Sequence, residues 1–215
     1  MRSRNGSESP TTRFTLHAHE QSASGDSDTP MGVMAREYAD NGFDLVGFVG
    51  HDQRPEQPER DMGVAVMTGV EHELRTSPRR LHIIEFPDQE LRILAHPSLT
   101  HPENTEEKAV VDADEYGVDA IEAFNKGYRE LPDSVVMDSY PRVAGDDAHN
   151  THQIGSSYME SSVEATPEKV AEAVKDGRVT LQSPGLPATS RAAGRLHQAL
   201  ALVASGEIAE AARSR

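Results

Sequence analysis

Residues Phe14 to His19 read FTLHAH, and the reading of this stretch decides the fold. Successive side chains of a β-strand point to opposite faces, so His17 and His19, two apart, share a face at the strand's end. Other stretches repeat the form. DLVGFVGH runs from Asp44 to His51, VAVMTGVE from Val64 to Glu71, LRILAH from Leu91 to His96, and RVAGDDAH from Arg142 to His149. Each is an apolar run that leads into an imidazole or a carboxylate. Runs such as LVGFV and LRILA, apolar at successive positions, suit strands covered on both faces, as in a parallel sheet. The carboxyl ends of parallel strands open onto one mouth of an α/β barrel, where such folds keep their chemistry. The sequence therefore predicts that His17, His19, His51, Glu71, His96, Asp147 and His149 gather at one mouth.

Further strands are expected at Leu81–Phe86 and Ala120–Phe124, with weaker ones near Ser157–Val163 and Arg178–Leu181. Helix signals fall between strands. Thr29-Pro30 reads as an N-cap followed by proline in the first turn, with Gly42 as the stop. Thr166-Pro167 opens a second helix that ends at Gly177. A third is expected from Asn104 or Thr105 to about Asp114, and a short fourth over Asn125–Leu131. The alternation indicates an α/β fold. The helices are too few and too short for a full eight-fold barrel, so a reduced or distorted barrel is expected over residues 13–182. Residues 1–12 are polar and expected to be disordered. Residues 183–215 read as a Pro/Gly-containing linker and two Ala-rich helices, Arg191–Ser205 and Glu207–Arg213.

Composition removes whole classes of function. The chain has 215 residues, no cysteine, and 36 acids against 21 Lys and Arg, a formal charge of −15. No disulfide, thiolate metal site or cysteine nucleophile is available. No apolar run approaches the ~20 residues of a membrane span. The polar N-terminus has no signal-peptide pattern, so a cytoplasmic chain is expected. So acidic a surface disfavours non-specific nucleic-acid binding. Only Lys108, Lys126, Lys169 and Lys175 are lysines. That balance reads as adaptation to a salty cytoplasm, where self-repulsion is screened.

Imidazoles and carboxylates at one mouth, without thiolates, suit Zn²⁺, Mn²⁺ or Fe²⁺. The ordered set HAH, GDSD before Pro30, GFVGHD, GVE, His82, LAHP and GDDAH resembles the polymerase and histidinol phosphatase (PHP) family, across roughly residues 14–182. The resemblance implies a distorted seven-stranded (β/α)7 barrel with two or three divalent metals, used for phosphoester hydrolysis. It implies that His17, His19, Glu71 and Asp147 bind one metal. Glu71, bridging, would bind a second with His82 and His96, and Asp26, in preference to Asp28, would bind a third with His51 and His149. The family commonly reads TDH where this chain has Val49-Gly50-His51, and a Ser where it has Asp146.

His72 and His197 are not expected to be ligands. Glu122 and Asn125 close another strand and either orient ligands or face water at the mouth. Arg54, Arg79, Arg80, His101, Arg142 and His152 are cationic candidates for holding a phosphate, since a guanidinium fork matches phosphate geometry. Arg54, three residues after His51, leads them, and His101 is retained with it as a substrate-binding candidate. The function expected is hydrolysis of a small phosphorylated metabolite or nucleotide by a metal-activated hydroxide, with Asp147 or His149 passing a proton to the leaving group. Two rivals keep the same residues: an amidohydrolase-type C–N or C–O hydrolase, and a non-catalytic metal-binding or interaction module.

Overall fold

The structure is a computed structural model that describes residues 11–76, 79–100, 105–131 and 139–185. The N-terminus through residue 10, His101, the side chains of Arg79 and Arg80, and residues 186–215 with the expected tail helices and His197 lie outside the described residues.

One ten-stranded sheet organises the chain. Its strands are β1 (Thr12–Ala18), β2 (Leu45–His51), β3 (Ala65–Thr76), β4 (Arg79–Phe86), β5 (Leu91–Ala95), β6 (Ala120–Asn125), β7 (Tyr128–Arg129), β8 (Arg142–Gly145), β9 (Tyr158–Ser161) and β10 (Thr180–Gln182). The spatial order is β10-β9-β1-β2-β3-β4-β5-β6-β7, with β8 also on β6. Among the described residues four α-helices interrupt it: α1 (Met31–Asp40), α2 (Pro97–Thr100), α3 (Thr105–Tyr116) and α4 (Pro167–Lys175). The sheet curls until the residues after β8 return to β1, where Ala18 and Ala148 form a parallel bridge and the His19 N–H donates to the Ala148 carbonyl at 2.8 Å.

The architecture is mixed α/β, but it does not alternate strand and helix seven times. Strands β1, β2 and β3 are parallel neighbours, as are β5, β6 and β8. Between the two groups, β3, β4 and β5 form an antiparallel meander with no α-helix among the described residues, a 3₁₀ turn at Pro87–Gln89 joining β4 to β5. A meander connection is too short to cross over a sheet, so β4 runs against both β3 and β5. Its first residues therefore lie at the end where the parallel strands finish.

Three apolar clusters account for the layers. Inside the curl, Phe14, Leu16, Leu45, Val49, Met67, Ile84, Phe86 and Ile93 meet Val170, Ala171 and Val174 of α4. Outside it, α1 packs Met34, Ala35 and Tyr38 against Val46, Phe48 and Phe43. The third cluster places Ala109 and Ala113 of α3 on Leu81, Ile83, Leu94 and Ile121. Strands β2, β4 and β5 thus contribute apolar side chains to both faces, which is why they read as unbroken apolar runs. Gly47 is fixed by this packing, because a Cβ there would lie 2.8 Å from Phe86 Cζ and 2.9 Å from Leu16 Cα.

Local departures from expectation have physical causes. Helix α1 begins at Met31 with Pro30 as its cap residue and no side-chain cap, because the Thr29 hydroxyl bonds Asp28 instead. Thr166 caps α4 as expected. The short helix expected over Asn125–Leu131 is instead a hairpin: Asn125 pairs with Tyr128 across Lys126-Gly127, whose φ angles are +50° and +78°. Positive φ at two successive residues is incompatible with a right-handed helix.

Candidate metal centre

Two register shifts aim the strands at the mouth. Thr15 pairs with Val46 but Ala18 with Phe48, so β1 carries one extra residue between them. Leu16 consequently packs inside the curl while Ala18 packs outside, and His17 and His19 turn inward. A bulge that re-aims side chains beside a site is a recurrent device. Strand β6 shifts likewise against β8 between Glu122 and Phe124.

The carboxylate of Glu71, buried midway along β3, which runs on beyond it to Thr76, lies at the middle of the site. Its Oε1 is 2.8 Å from His82 Nδ1, 3.0 Å from His96 Nε2 and 3.6 Å from His17 Nε2. Its Oε2 is 3.1 Å from His51 Nδ1 and 3.3 Å from His19 Nε2. Asp147 Oδ1 lies 3.6, 3.4 and 3.4 Å from His17 Nε2, His19 Nε2 and His149 Nδ1. Asp26 spans the outer side, 2.9 Å from His149 Nε2 and 3.2 Å from His51 Nε2. All nine residues that the sequence nominates as ligands thus meet, although they come from positions 17 to 149. Of the two early acids, Asp26 is the one among the histidines. His82 reaches them from the start of its strand because β4 is antiparallel.

Several of these separations suit a shared cation better than a hydrogen bond. Donors about 2.1 Å from a tetrahedral ion stand roughly 3.4 Å from one another. His17 Nε2 and His19 Nε2 are buried without a hydrogen-bond partner, yet each faces carboxylate oxygens at 3.3 to 3.6 Å. The sets His17/His19/Asp147, His17/Glu71/His96 and His19/His51/His149 each bring their donor atoms within 4.8 Å of one another. The residues present therefore fit divalent metal.

A second ring of contacts sets the imidazoles. Glu122 Oε1 lies 3.1 Å from His17 Nδ1, and its Oε2 accepts from the His96 N–H at 2.8 Å and Asn125 Nδ2 at 2.9 Å. Ser24 Oγ is 2.9 Å from His19 Nδ1, and the Asp147 carbonyl is 2.9 Å from His149 Nδ1. A carboxylate or carbonyl on one ring nitrogen fixes the tautomer and leaves the other lone pair free. Glu122 and Asn125 thus orient site residues rather than face water. Asp146, the acid beside Asp147, is fully buried and accepts from Thr15 Oγ1, Tyr38 Oη and the Gly155 N–H at 2.9 to 3.0 Å. It anchors the loop. Backbone strain concentrates here too: Asp52, His96, Lys126 and Asp147 all have positive φ, each costing about 1–3 kcal/mol.

The charges respond to one another strongly. Burial opposes the charged forms of Glu71 and Asp147, but His17 beside Glu71, and Lys126 followed by His17 beside Asp147, hold both well below the usual carboxylate range. Burial likewise opposes the imidazolium of His17, yet Asp147, Glu122 and Glu71 raise its pKa well above the ordinary value. Against a similar desolvation, hydrogen bonds to Asp26 and Glu71 raise His51 to about 10. Burial raises Asp146 to about 7 and lowers His149. The carboxylates demand positive charge, and protons supply it where a divalent ion would compete for the same lone pairs.

Among the expected phosphate-binding cations, Arg54 is not at the mouth. It donates to Thr68 Oγ1 at 3.0 Å and pairs with Asp88. Thr68 is an odd number of residues from Glu71 on β3, so Arg54 lies across the opposite face of the sheet. His72 also points away, to Glu85 at 3.1 Å. Among the described residues, a cation that does reach the cluster is Lys126, whose Nζ is 2.8 Å from Asp147 Oδ2. The sequence nominated no role for it, because its turn read as helix.

No protein-family model matches the chain, and no curated protein matches it in sequence. Solved structures do match. A two-domain protein from Bacteroides vulgatus ATCC 8482, described as containing a predicted PHP-like metal-dependent phosphoesterase, aligns with a TM-score of 0.58 at 14% identity, over 85% of this chain and 69% of that one. PsfC from Pseudomonas syringae PB-5123 aligns with a TM-score of 0.53 at 12% identity, over 90% of this chain and 98% of that one. The likeness is one of fold. Among the described residues no helix is long and apolar enough to cross a membrane.

Proposed function

We propose that this chain is a metal-dependent hydrolase of the PHP type that cleaves a phosphoester of a small metabolite or nucleotide. The observation that carries the reading is Glu71 ringed by five imidazole nitrogens, with the Nε2 atoms of His17 and His19 left without hydrogen bonds. One carboxylate offers about four lone-pair sites, so five converging imidazoles suit a carboxylate shared between cations. The described PHP-like neighbour supports the same reading through its fold. In this proposal residues 13–182 are the catalytic unit, and two or three Zn²⁺, Mn²⁺ or Fe²⁺ ions are held as the family pattern implies. His17, His19 and Asp147 hold one, Glu71 bridges it to a second with His82 and His96, and Asp26, His51 and His149 hold a third.

Bound divalent ions would supply Lewis acidity towards phosphoryl oxygens and acidify a water molecule. The chain supplies orientation and proton handling. Glu122 keeps the His17 proton on Nδ1 and so presents Nε2 to the site. Ser24 faces Nδ1 of His19, whose Nε2 is turned to Glu71 and Asp147. His149 and Asp147, at the edge nearest Asp26, are the pair proposed to pass a proton to the leaving group. Lys126 beside Asp147 favours a phosphoester over a C–N substrate, because it gives the acidic mouth a cation of its own. The formal charge of −15 supports assay at high salt and a haloarchaeal-type setting.

The test is to purify the protein without chelator, measure bound metals, and incubate it with mixed phosphoesters under Mn²⁺ at high salt. Inorganic phosphate should be released. A metal-loaded sample that releases none from any phosphoester overturns the reading.

A further inference from the structure

Lys126 and Gly127 are the two loop residues of the β6–β7 hairpin, with φ of +50° and +78°. Such turns favour Gly, which has no Cβ, or Asn and Asp, whose short polar side chains bond the local backbone, at the first loop position, while other side chains are strained there. Glycine is required at the second, where a Cβ would lie 2.7 Å from Gly185 Cα. Lysine at the first position breaks a local rule, and such breaks are expected where function compensates. The strained backbone aims its ammonium at the site, 2.8 Å from Asp147 Oδ2, while the side chain keeps 21% of its surface exposed.

Pairing with Asp147 alone does not account for this placement. Asp147 Oδ1 already faces His17, His19 and His149. Two divalent ions would balance the carboxylates of Asp26, Glu71, Glu122 and Asp147. The ammonium is then excess positive charge at the rim of the cluster, which an anion would neutralise. Asp147 takes one of the three N–H donors that an ammonium carries.

We propose that Lys126 is a substrate-binding residue whose ammonium donates to a non-bridging oxygen of a phosphoryl group seated over the metal cluster. The inference rests on the phosphoesterase reading and names the protein's own cation for it. Inorganic phosphate is the probe, titrated by calorimetry into metal-loaded wild type, Lys126→Asn and Lys126→Arg, with bound metal measured in each. Lys126→Asn relieves the turn but gives up the ion pair with Asp147, so the metal-loaded variant should stay folded with its bound metal unchanged while its phosphate affinity falls about 10-fold or more. Lys126→Arg should recover part of that affinity. With a cleavable phosphoester, KM should rise more than kcat falls. Unchanged phosphate affinity in Lys126→Asn overturns the proposal. So does metal loss in step with affinity, which would make Lys126 a residue that only positions Asp147, and so does a metal-loaded wild type that binds no phosphate. A wild type that binds phosphate through Lys126 but cleaves no phosphoester supports this inference and sinks the hydrolase reading instead.

Discussion

Replacing Glu122 by Gln tests the centre from its supports rather than its ligands. The carboxylate accepts on both oxygens: Oε1 faces His17 Nδ1, and Oε2 takes the His96 N–H and Asn125 Nδ2. An amide has one accepting end. If its oxygen faces His17, its NH₂ confronts the donors of His96 and Asn125. If it turns over, it donates to His17 Nδ1 and drives that ring's proton to Nε2, the atom that faces Glu71 and Asp147. The first arrangement leaves a buried donor unpaired, about 1–3 kcal/mol of stability, or roughly 2–12 °C in Tm for a domain of this size. The second removes a ligand lone pair. Loss of a partner behind a metal ligand lowers metal affinity about 10- to 100-fold, equivalent to about 1.4–2.8 kcal/mol. The assay is competition with a chelator of known affinity, read as bound metal, with thermal melts of metal-free and loaded protein. A folded Glu122→Gln variant that binds the same number of ions within twofold of wild-type affinity would refute the argument that Glu122 sets His17.

Other outcomes follow from the same geometry. Tyr38→Phe removes the buried hydroxyl that donates to Asp146 at 2.9 Å and should cost about 1.5–3 kcal/mol in a denaturant melt, with metal content unchanged. A Tyr38→Phe variant as stable as wild type would remove Asp146 as the loop's anchor. For the metal-free protein, His51 titrates near 10 in the fold against about 6.5 unfolded, and His17 is raised as well. The folded state therefore holds more protons between those limits, and their stabilisation, full below about pH 6.5, is lost as pH rises towards 10. Melting temperature without metal should fall across that window and hold steadier with metal bound, since the ion takes the protons' place. Equal slopes with and without metal would contradict this. Gly145→Ala would push a methyl against Glu122 Oε1 and within 2.7 Å of His17 Cβ, so it should lower both stability and metal content, read by melts and elemental analysis.

The convergence of the nominated residues was more legible in the sequence than the strand pairing that brings them together. Short apolar runs that end in His or acid carry their own direction, so the nine candidates could be gathered from spacing and resemblance without coordinates. What stayed hidden depends on pairing. The extra residue in β1 between Thr15 and Ala18 leaves no mark in composition, and neither does the shift in β6. The antiparallel sense of β4, which brings His82 in from its strand's start, follows from connections too short to cross over. Lys126-Gly127 reads as part of a helix because the left-handed turn is imposed by the strands it joins. Arg54 is near His51 in sequence but across the sheet in space, held by Asp88.

The order of parts along the chain has a consequence for biosynthesis. Strand β1 with His17, and His19 just after it, are made before the other site residues, yet β1 is flanked on one side by β9, residues Tyr158–Ser161, and bridged through Ala18 to Ala148. A growing polypeptide still on the ribosome thus carries these histidines long before Asp147 and His149 emerge to complete the cage. The full set of nine residues cannot close until residue 149 has been made, whereas His17, Glu71 and His96 are together on the chain much sooner.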